Sequence, residues 1–514
     1  MRKLLILLCC AAMPAALSAE QWQILGTRPM GMGGAFVAVA QGPIAQYWNP
    51  AGLVKSSENV SGMEIPVGVN AEFTGGIVKN ASQIGDLASR YSAIQSAQNS
   101  GGTVDAQQIA AFAKTLSLMD DMNKPGKGAL LEVAGGANFK FSKVALSVNN
   151  YTSLGLNPFV DTVNVGLNSA TGVSGVSFAG ANTASPATSQ EQAAAATMAA
   201  AITTIGFTDL ETLLCGSGGC LGAINTPTKL ANAFVNYSVA NSVTDQQIAD
   251  SANMMSEYAS QVAPIIKNAA GGKPYSQNTS NLTVAGASFV EIAAGYAWNA
   301  DNWLSGLSIG GNLKMVNGRT ASTTFHFLSE SKTSDAFKLK DVKSSWAPAA
   351  DIGALWNVRA KYPRAPLSPK VGLVVRNINS PKFDQPDAVG GSYKLDRQAR
   401  LGVALNPARF WTLAADMDVT KNHTAVKGFD SRELALGTEI NIVNRKAFNI
   451  PLRAGLLKNM AEKDSKLAYT LGTGLNLLFM HFDVSGVIGS EKTEIDGKKF
   501  PARAGLAASF GLLF

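Results

Sequence analysis

A two-residue alternation, repeated segment after segment from Leu282 to the C-terminus, constrains this chain more than any other feature. Leu401, Val403 and Leu405 oppose Gly402, Ala404 and Asn406, and Leu413, Ala415, Met417 and Val419 oppose Thr412, Ala414, Asp416 and Asp418. Leu434, Leu436, Thr438, Ile440 and Ile442 oppose Glu433, Ala435, Gly437, Glu439 and Asn441. Leu467 to Leu477 and Ala502 to Phe514 repeat the pattern, and so does an alternation that starts at Trp303. A period of two sends successive side chains to opposite faces of a strand, which no helix can do. One face here is apolar and the other small or polar. A soluble sandwich would show the same pattern with its apolar face inward. Three features favour a membrane barrel instead. The segments run about 10 residues, the length that crosses a bilayer at a tilt. Carboxylates recur on the polar face (Asp416, Asp418, Glu433, Glu439 and Asp483), as a wet lumen would have them. The last residue, Phe514, closes an alternating strand.

Composition agrees. Only 15% of residues are charged and fifty are glycine, against about a quarter charged in ordinary soluble chains. Behind the first residues no apolar run is long enough for a spanning helix. The expectation is an all-β fold, a transmembrane antiparallel β-barrel of about 14 strands, three before a largely helical insertion and eleven after it. Tyr296, Trp298, Trp303, Trp346, Trp356, Tyr362, Phe410, Trp411 and Phe479 lie near strand ends, where interfacial girdles form. The net charge of +7 is carried by dispersed side chains such as Lys343, Lys361 and Arg364. That distribution suits contact with phosphate-bearing head groups of outer-membrane lipid and gives no basis for nucleic-acid binding.

Met1 to Ala19 reads as a signal peptide: Arg2 and Lys3, then an apolar middle, then Ser18 and Ala19. Cys9 and Cys10 leave with it. Gly62–Val78 is a plausible first strand, and Leu130–Asn149 reads as two strands about a turn at Ser142-Lys143. The stretch 81–122 is polar and Ala/Gln/Ser-rich, with Ile109, Phe112 and Leu116 at helical spacing. Gly155 to Asn281 contains four further helical patterns and is too long for an unstructured loop, so a helical insertion over one mouth is expected. Cys215 and Cys220 are the remaining cysteines; in an oxidising compartment a disulfide is favoured over a metal site.

Leu25 to Leu53 is the other unusual stretch. Six of the ten residues from Gly31 to Ala40 are glycine or alanine, including Gly33 and Gly34, and the run closes on Tyr47-Trp48-Asn49-Pro50-Ala51-Gly52-Leu53. Small residues allow close backbone packing, and Pro50 pushes Asn49 into an extended conformation. Such a segment reads as an insert that needs a surrounding wall. Gly26-Thr27-Arg28-Pro29-Met30-Gly31-Met32-Gly33-Gly34-Ala35-Phe36-Val37-Ala38 together with Tyr47–Leu53 resembles the start of mature proteins in the FadL/TodX superfamily of long-chain fatty acid and hydrocarbon transporters. It is also similar to the related PorV-type barrels and to TraF-like conjugal transfer barrels. The resemblance implies a 14-stranded outer-membrane barrel with an N-terminal plug, Asn49, Pro50 and Ala51 in that plug, and Phe514 as the signal read by the barrel-assembly machinery. Domain boundaries are then 1–19 for the leader, 20–60 for the plug and 61–514 for the barrel, with insertions near residues 81–123 and 155–281. Arg359, Arg376, Arg400 and Arg453 are candidates, by charge alone, for gripping a carboxylate head group.

Other motifs carry less. Gly306-Leu307-Ser308-Ile309-Gly310 fits a nucleophile elbow in letters, but Ser308 falls inside an alternating strand. His326, His423 and His481 are far apart; two read as loop residues and His481 as a lumen or rim residue, with no metal spacing among them. No cofactor, metal or enzymatic activity is expected. The expected function is passive uptake of a hydrophobic small molecule through a plugged lumen. The alternative is a non-transporting scaffold for a conjugation, secretion or surface assembly.

Overall fold

The structure is a computed structural model. It describes residues 18–54, 61–78, 96–97, 102–164, 176–178, 180–216, 220, 224–271, 278–326, 342–387, 389–445, 448–495 and 498–513. Most of the leader and Phe514 lie outside these residues.

Fourteen antiparallel strands close into one barrel. They are β1 (Gly62–Thr74), β2 (Gly128–Phe141), β3 (Val144–Phe159), β4 (Asn281–Asn299), β5 (Leu307–His326), β6 (Lys343–Asn357) and β7 (Lys370–Arg376). The second half is β8 (Gln398–Ala408), β9 (Trp411–Asp418), β10 (Glu433–Arg445), β11 (Phe448–Asn459), β12 (Ala468–Leu477), β13 (Met480–Gly489) and β14 (Arg503–Leu513). Three precede the helical insertion and eleven follow it. Closure is made by β1 on β14, from Gly62 opposite Leu513 to Glu72 opposite Arg503. The alternation sets which face is which: on β13, Phe482 and Val484 stand exposed on the outer wall while His481, Asp483 and Ser485 are buried inside. Val67, Leu146, Leu313, Ile352, Leu436, Leu471 and Leu506 are likewise exposed on the outside. An apolar belt around a closed barrel is stable only against lipid, and the protein is an outer-membrane barrel. Among the described residues no single helix is long and apolar enough to cross a membrane.

The two rims differ. At one, successive strands turn within a few residues, as at Ser142-Lys143 and Leu478-Phe479, where Ser142 (φ 57°) and Leu478 (φ 54°) take the left-handed conformation that tight hairpins need. Tyr296, Trp298, Trp303, Tyr362, Phe410 and Phe479 are exposed near this rim. Trp303 belongs to a turn, not to the strand that the alternation suggested: Trp303 N and Leu304 N both donate to Ala300 O, Asp301 accepts from Gly306 N at 2.8 Å, and β5 starts only at Leu307.

The other rim carries the long excursions. Helix α3 (Ala106–Met122) comes from the first; α4 (Ser189–Ile205), α5 (Phe207–Cys215), α6 (Pro227–Ala240) and α7 (Asp245–Ala270) come from the second. Helices α1 (Thr27–Gly31) and α2 (Ala45–Trp48) belong to the lumen segment described below. The long-rim helices share one core, in which Phe112 and Leu116 of α3 meet Ile202, Phe234, Met255 and Val262. Their starts are encoded locally: Asp105 with Gln108, Thr188 with Glu191 and Thr244 with Gln247 form reciprocal capping boxes. Cys215 and Cys220 are bonded to each other within this body. Two further loops fold inward over the lumen. The hairpin of Lys382–Asp384 with Ser392–Lys394 seats Phe383 against Phe289, and Val426 and Phe429 pack on Leu130.

Candidate functional site

The lumen holds the stretch from Gln21 to Val54. Gln21 to Leu53 is buried almost throughout. Its first described residues, Ser18–Glu20, pair in parallel with Lys421–His423 at the long-loop rim. It continues through helix α1 (Thr27–Gly31), a glycine turn, helix α2 (Ala45–Trp48) and a 3₁₀ turn at Pro50–Leu53.

Sequence dictates this path locally. Gly33 (φ +68°) makes the turn after α1, and a Cβ there would lie 2.7 Å from Leu456 O and 2.9 Å from Leu436 O, both wall backbone. The position needs glycine both for its dihedral and for the approach. Gly34 (φ +90°) continues the turn, and Gly31 lies against Arg453 and Gly472. Asn49 is extended (φ −161°, ψ 104°), as a residue before proline should be. Its Nδ2 donates to Val37 O and to wall residue Ala354 O, both at 3.1 Å, and its Oδ1 accepts from Ala51 N at 3.1 Å. One side chain thereby joins two parts of the segment to β6. On the wall, a side chain at Gly310 or Gly353 would overlap Pro50 or Asn49.

The aromatic end folds back on its own beginning. Tyr47 Oη donates to Gln23 O at 2.6 Å and Trp48 Nε1 to Leu25 O at 2.8 Å. Trp22 stacks on Trp48 (centroids 6.0 Å apart), and Tyr47 stacks on Tyr151 of β3 (5.1 Å). The Arg376 guanidinium lies 4.0 Å over the Tyr47 ring and that of Arg400 lies 4.8 Å over Trp22. These are cation–π distances in a desolvated setting.

Charge fixes the other end. Arg28 grips Glu439 with two nitrogens, each at 2.8 Å. Glu439 also accepts from Arg453 Nε at 2.7 Å, and Arg453 NH1 reaches Asp483 at 2.8 Å. Asp416 Oδ2 accepts from the backbone N–H groups of both Phe36 and Val37 at 2.7 Å. A wet lumen was expected around these carboxylates. They are instead buried against the segment: arginines pair with Glu439 and Asp483, and the backbone N–H groups serve Asp416.

The four arginine candidates separate accordingly. Arg359 is exposed at the short-turn rim, where it donates to Ser368 Oγ at 2.8 Å. Arg376 pairs with Glu291 at 3.0 Å, Arg400 with Asp418 at 2.6 Å, and Arg453 as described. The three lumen arginines are thus committed to the wall's own carboxylates. Ser308 lies in β5 without the strand-to-helix turn a nucleophile needs. His326 ends β5 and is no loop residue; His423 sits on a short strand, 2.7 Å from Asp430; His481 is buried in the lumen on β13. Outside the bilayer, burial opposes ionisation of Asp430, yet hydrogen bonds from Lys421 and His423 hold its carboxyl below the usual range.

Arg28 holds the segment to the wall, a role that no local pattern in the sequence marks. It is the one charged side chain between Gln21 and Val54, and a lone charge in an otherwise apolar, buried run requires a partner.

Residues 216–418 match a protein family described as "F plasmid transfer operon, TraF, protein". Among solved structures, a TodX deltaS2S3 mutant monoaromatic hydrocarbon channel is similar over 96% of this chain and 100% of its own, at 10% identity and a TM-score of 0.42. The Pseudomonas putida toluene transporter TodX is similar over 97% and 99%, at 10% identity and a TM-score of 0.39. A Pseudomonas aeruginosa FadL homologue is similar over 97% and 99%, at 8% identity and a TM-score of 0.38. No curated protein sequence matches.

Proposed function

We propose that this barrel is a passive, gated conduit for small hydrophobic solutes, of the long-chain fatty acid or hydrocarbon class, with residues 20–60 as its plug. The observation that supports the reading is how the lumen is closed. The obstruction is a segment that contributes no strand to the barrel, so moving it opens a path without breaking the barrel's own ladder of hydrogen bonds. Its removal would bare Tyr151 together with the small and charged residues of the inner wall. No energy source is required. Deleting Gly33–Asn49 should raise the conductance of the purified barrel in planar bilayers, and vesicles containing the native protein should take up labelled fatty acid or toluene faster than empty ones. Unchanged conductance together with no uptake would overturn the proposal.

A second reading has its own support. The helices at the long-loop rim share a core independent of the lumen, and the plug is held by buried ion pairs rather than loosely packed. A sealed barrel displaying a helical body fits a scaffold for a conjugation, secretion or surface assembly. Co-purification with such components, combined with absence of uptake, would favour it.

A further inference from the structure

Charge at the short-turn rim is one-sided. The described turns there, residues 142–143, 300–306, 358–369, 409–410 and 478–479, carry Lys143, Arg359, Lys361, Arg364 and Arg409 against the single acid Asp301. Asp301 is engaged within its own turn, accepting from Gly306 N at 2.8 Å. Three of the cations share the loop 358–369, and Arg359, Lys361 and Arg364 are all exposed there. None of the three has an acidic partner among the described residues. Arg359 donates to Ser368 Oγ at 2.8 Å, and Lys361 Nζ lies 5.8 Å over the Tyr362 ring.

This loop is fastened to the adjoining turn, 300–306. Ser305 Oγ donates to Ala360 O and Trp356 Nε1 to Ser305 O, both at 3.1 Å, and Asn357 N donates to Gly306 O at 2.9 Å. Gly306 (φ +81°) permits the approach, since a Cβ there would lie 2.5 Å from Ala360 Cβ. Apolar side chains stand exposed on the same corner: Trp303 at 73%, Tyr362 at 53% and Leu367 at 47%. Tyr362 meets Trp356, near the end of β6, edge to face at 6.5 Å. Charge alone would suit any polyanion; the rings beside the strand ends select lipid. At head-group depth aromatic rings take the apolar boundary while long basic chains reach phosphate. Short turns of such barrels face the periplasm, so the leaflet is the inner one. A second copy of this chain would bring its own basic corner and be repelled.

We propose that this corner binds one anionic phospholipid of the inner leaflet, with Arg359, Lys361 and Arg364 on its phosphate and Trp303 and Tyr362 at its glycerol boundary. The proposal does not depend on whether the barrel transports. Native mass spectrometry of the full-length protein, released from micelles holding equal phosphatidylglycerol and phosphatidylethanolamine, should show one retained phosphatidylglycerol. Each surface cation contributes about fivefold to such binding. Arg359→Gln, Lys361→Gln and Arg364→Gln together should therefore lower the preference by about a hundredfold. The same number of changes at the other rim, Lys343→Gln, Lys382→Gln and Lys394→Gln, should leave it in place. Equal retention of both lipids by the unaltered protein, or a preference that survives the triple change at the corner, would overturn the proposal. Displacement of the lipid by inorganic phosphate or by an oligoglutamate peptide would do so too, the first marking a free-phosphate site and the second an acidic polypeptide as the occupant.

Discussion

Glu439 ties together arginines from opposite ends of the chain: Arg28, 411 residues away in sequence, and Arg453, 14 residues away. Removing one member of a buried charged set leaves the others unpaired, at a cost of about 3–5 kcal/mol. Glu439→Ala is therefore expected to release the first half of the lumen segment while the wall stays closed. Hydrogen exchange of the Thr27–Phe36 amides should accelerate by orders of magnitude, with the amides of β10 and β11 unchanged. Protection at wild-type levels would show that aromatic packing at Trp22 and Trp48 holds the segment without the ion pairs. Asp416 acts on the same scale. Its burial is matched by two backbone donors, and neither Phe36 nor Val37 signals that in the sequence, because a backbone N–H carries no sequence signature.

At the scale of elements, the helical body is stapled at its base by Asp161. Oδ1 accepts from Val163 N and Asn164 N, both at 3.0 Å, and Oδ2 from Asn164 Nδ2 at 2.8 Å and from Thr279 N and Oγ1, both at 3.0 Å. One carboxylate thus joins the two ends of the long excursion. Partial burial opposes ionisation, but the bonds from Asn164 and Thr279 outweigh it and hold the carboxyl down at about 2, below its ordinary 3.8. An acid lowered on folding contributes stability that is complete above the unfolded value and is lost as pH falls through the folded one. Exchange at Asp161–Asn164 and Asn278–Ser280 should accordingly increase, beyond its intrinsic pH dependence, between pH 4 and pH 2. Asp161→Asn should abolish that added dependence. The bond between Cys215 and Cys220 closes a loop with a sequence separation of 5, and loops that short are worth about 2 kcal/mol by chain entropy. Reduction is expected to lower the melting of the helical signal in circular dichroism and to leave the β signal in place. The helices themselves were legible by their apolar spacing. Their assembly into one body was not, because α3 and α4–α7 leave the barrel from different strands, and a helical stripe specifies that it must be buried, not which stripe buries it.

For the whole molecule, charge is sorted by side. The chain carries a formal +7, yet among the described residues acidic side chains outnumber basic ones on the buried inner wall: Glu64, Glu132, Glu291, Asp351, Asp416, Asp418, Glu433, Glu439 and Asp483 stand against Lys140, Lys314, Arg376, Arg400, Arg453 and Arg503. Once Gly33–Asn49 is deleted, the opened lumen should therefore prefer potassium to chloride, read as a reversal-potential shift in asymmetric salt, and the preference should weaken as salt screens the wall. An anion-selective pore would contradict the inner-wall charge. The number of strands was readable because each wall strand repeats a full in–out pattern. At Trp303–Gly306 an apparent alternation continues into a turn, since short apolar-polar runs match either state and the bonds from Gly306 N to Asp301 and from Trp303 N and Leu304 N to Ala300 O decide between them.

Sequence alone determined the strand faces, the helix starts and the need of Leu25–Leu53 for a wall, because all three follow from local periodicity, capping and backbone sterics. Tertiary structure alone decided that the polar face is dry. Whether Asp416 and Glu439 meet water or the donors of Phe36 and Arg28 depends on residues hundreds of positions away, and a carboxylate's own neighbours in sequence carry no record of what a separate segment brings to it.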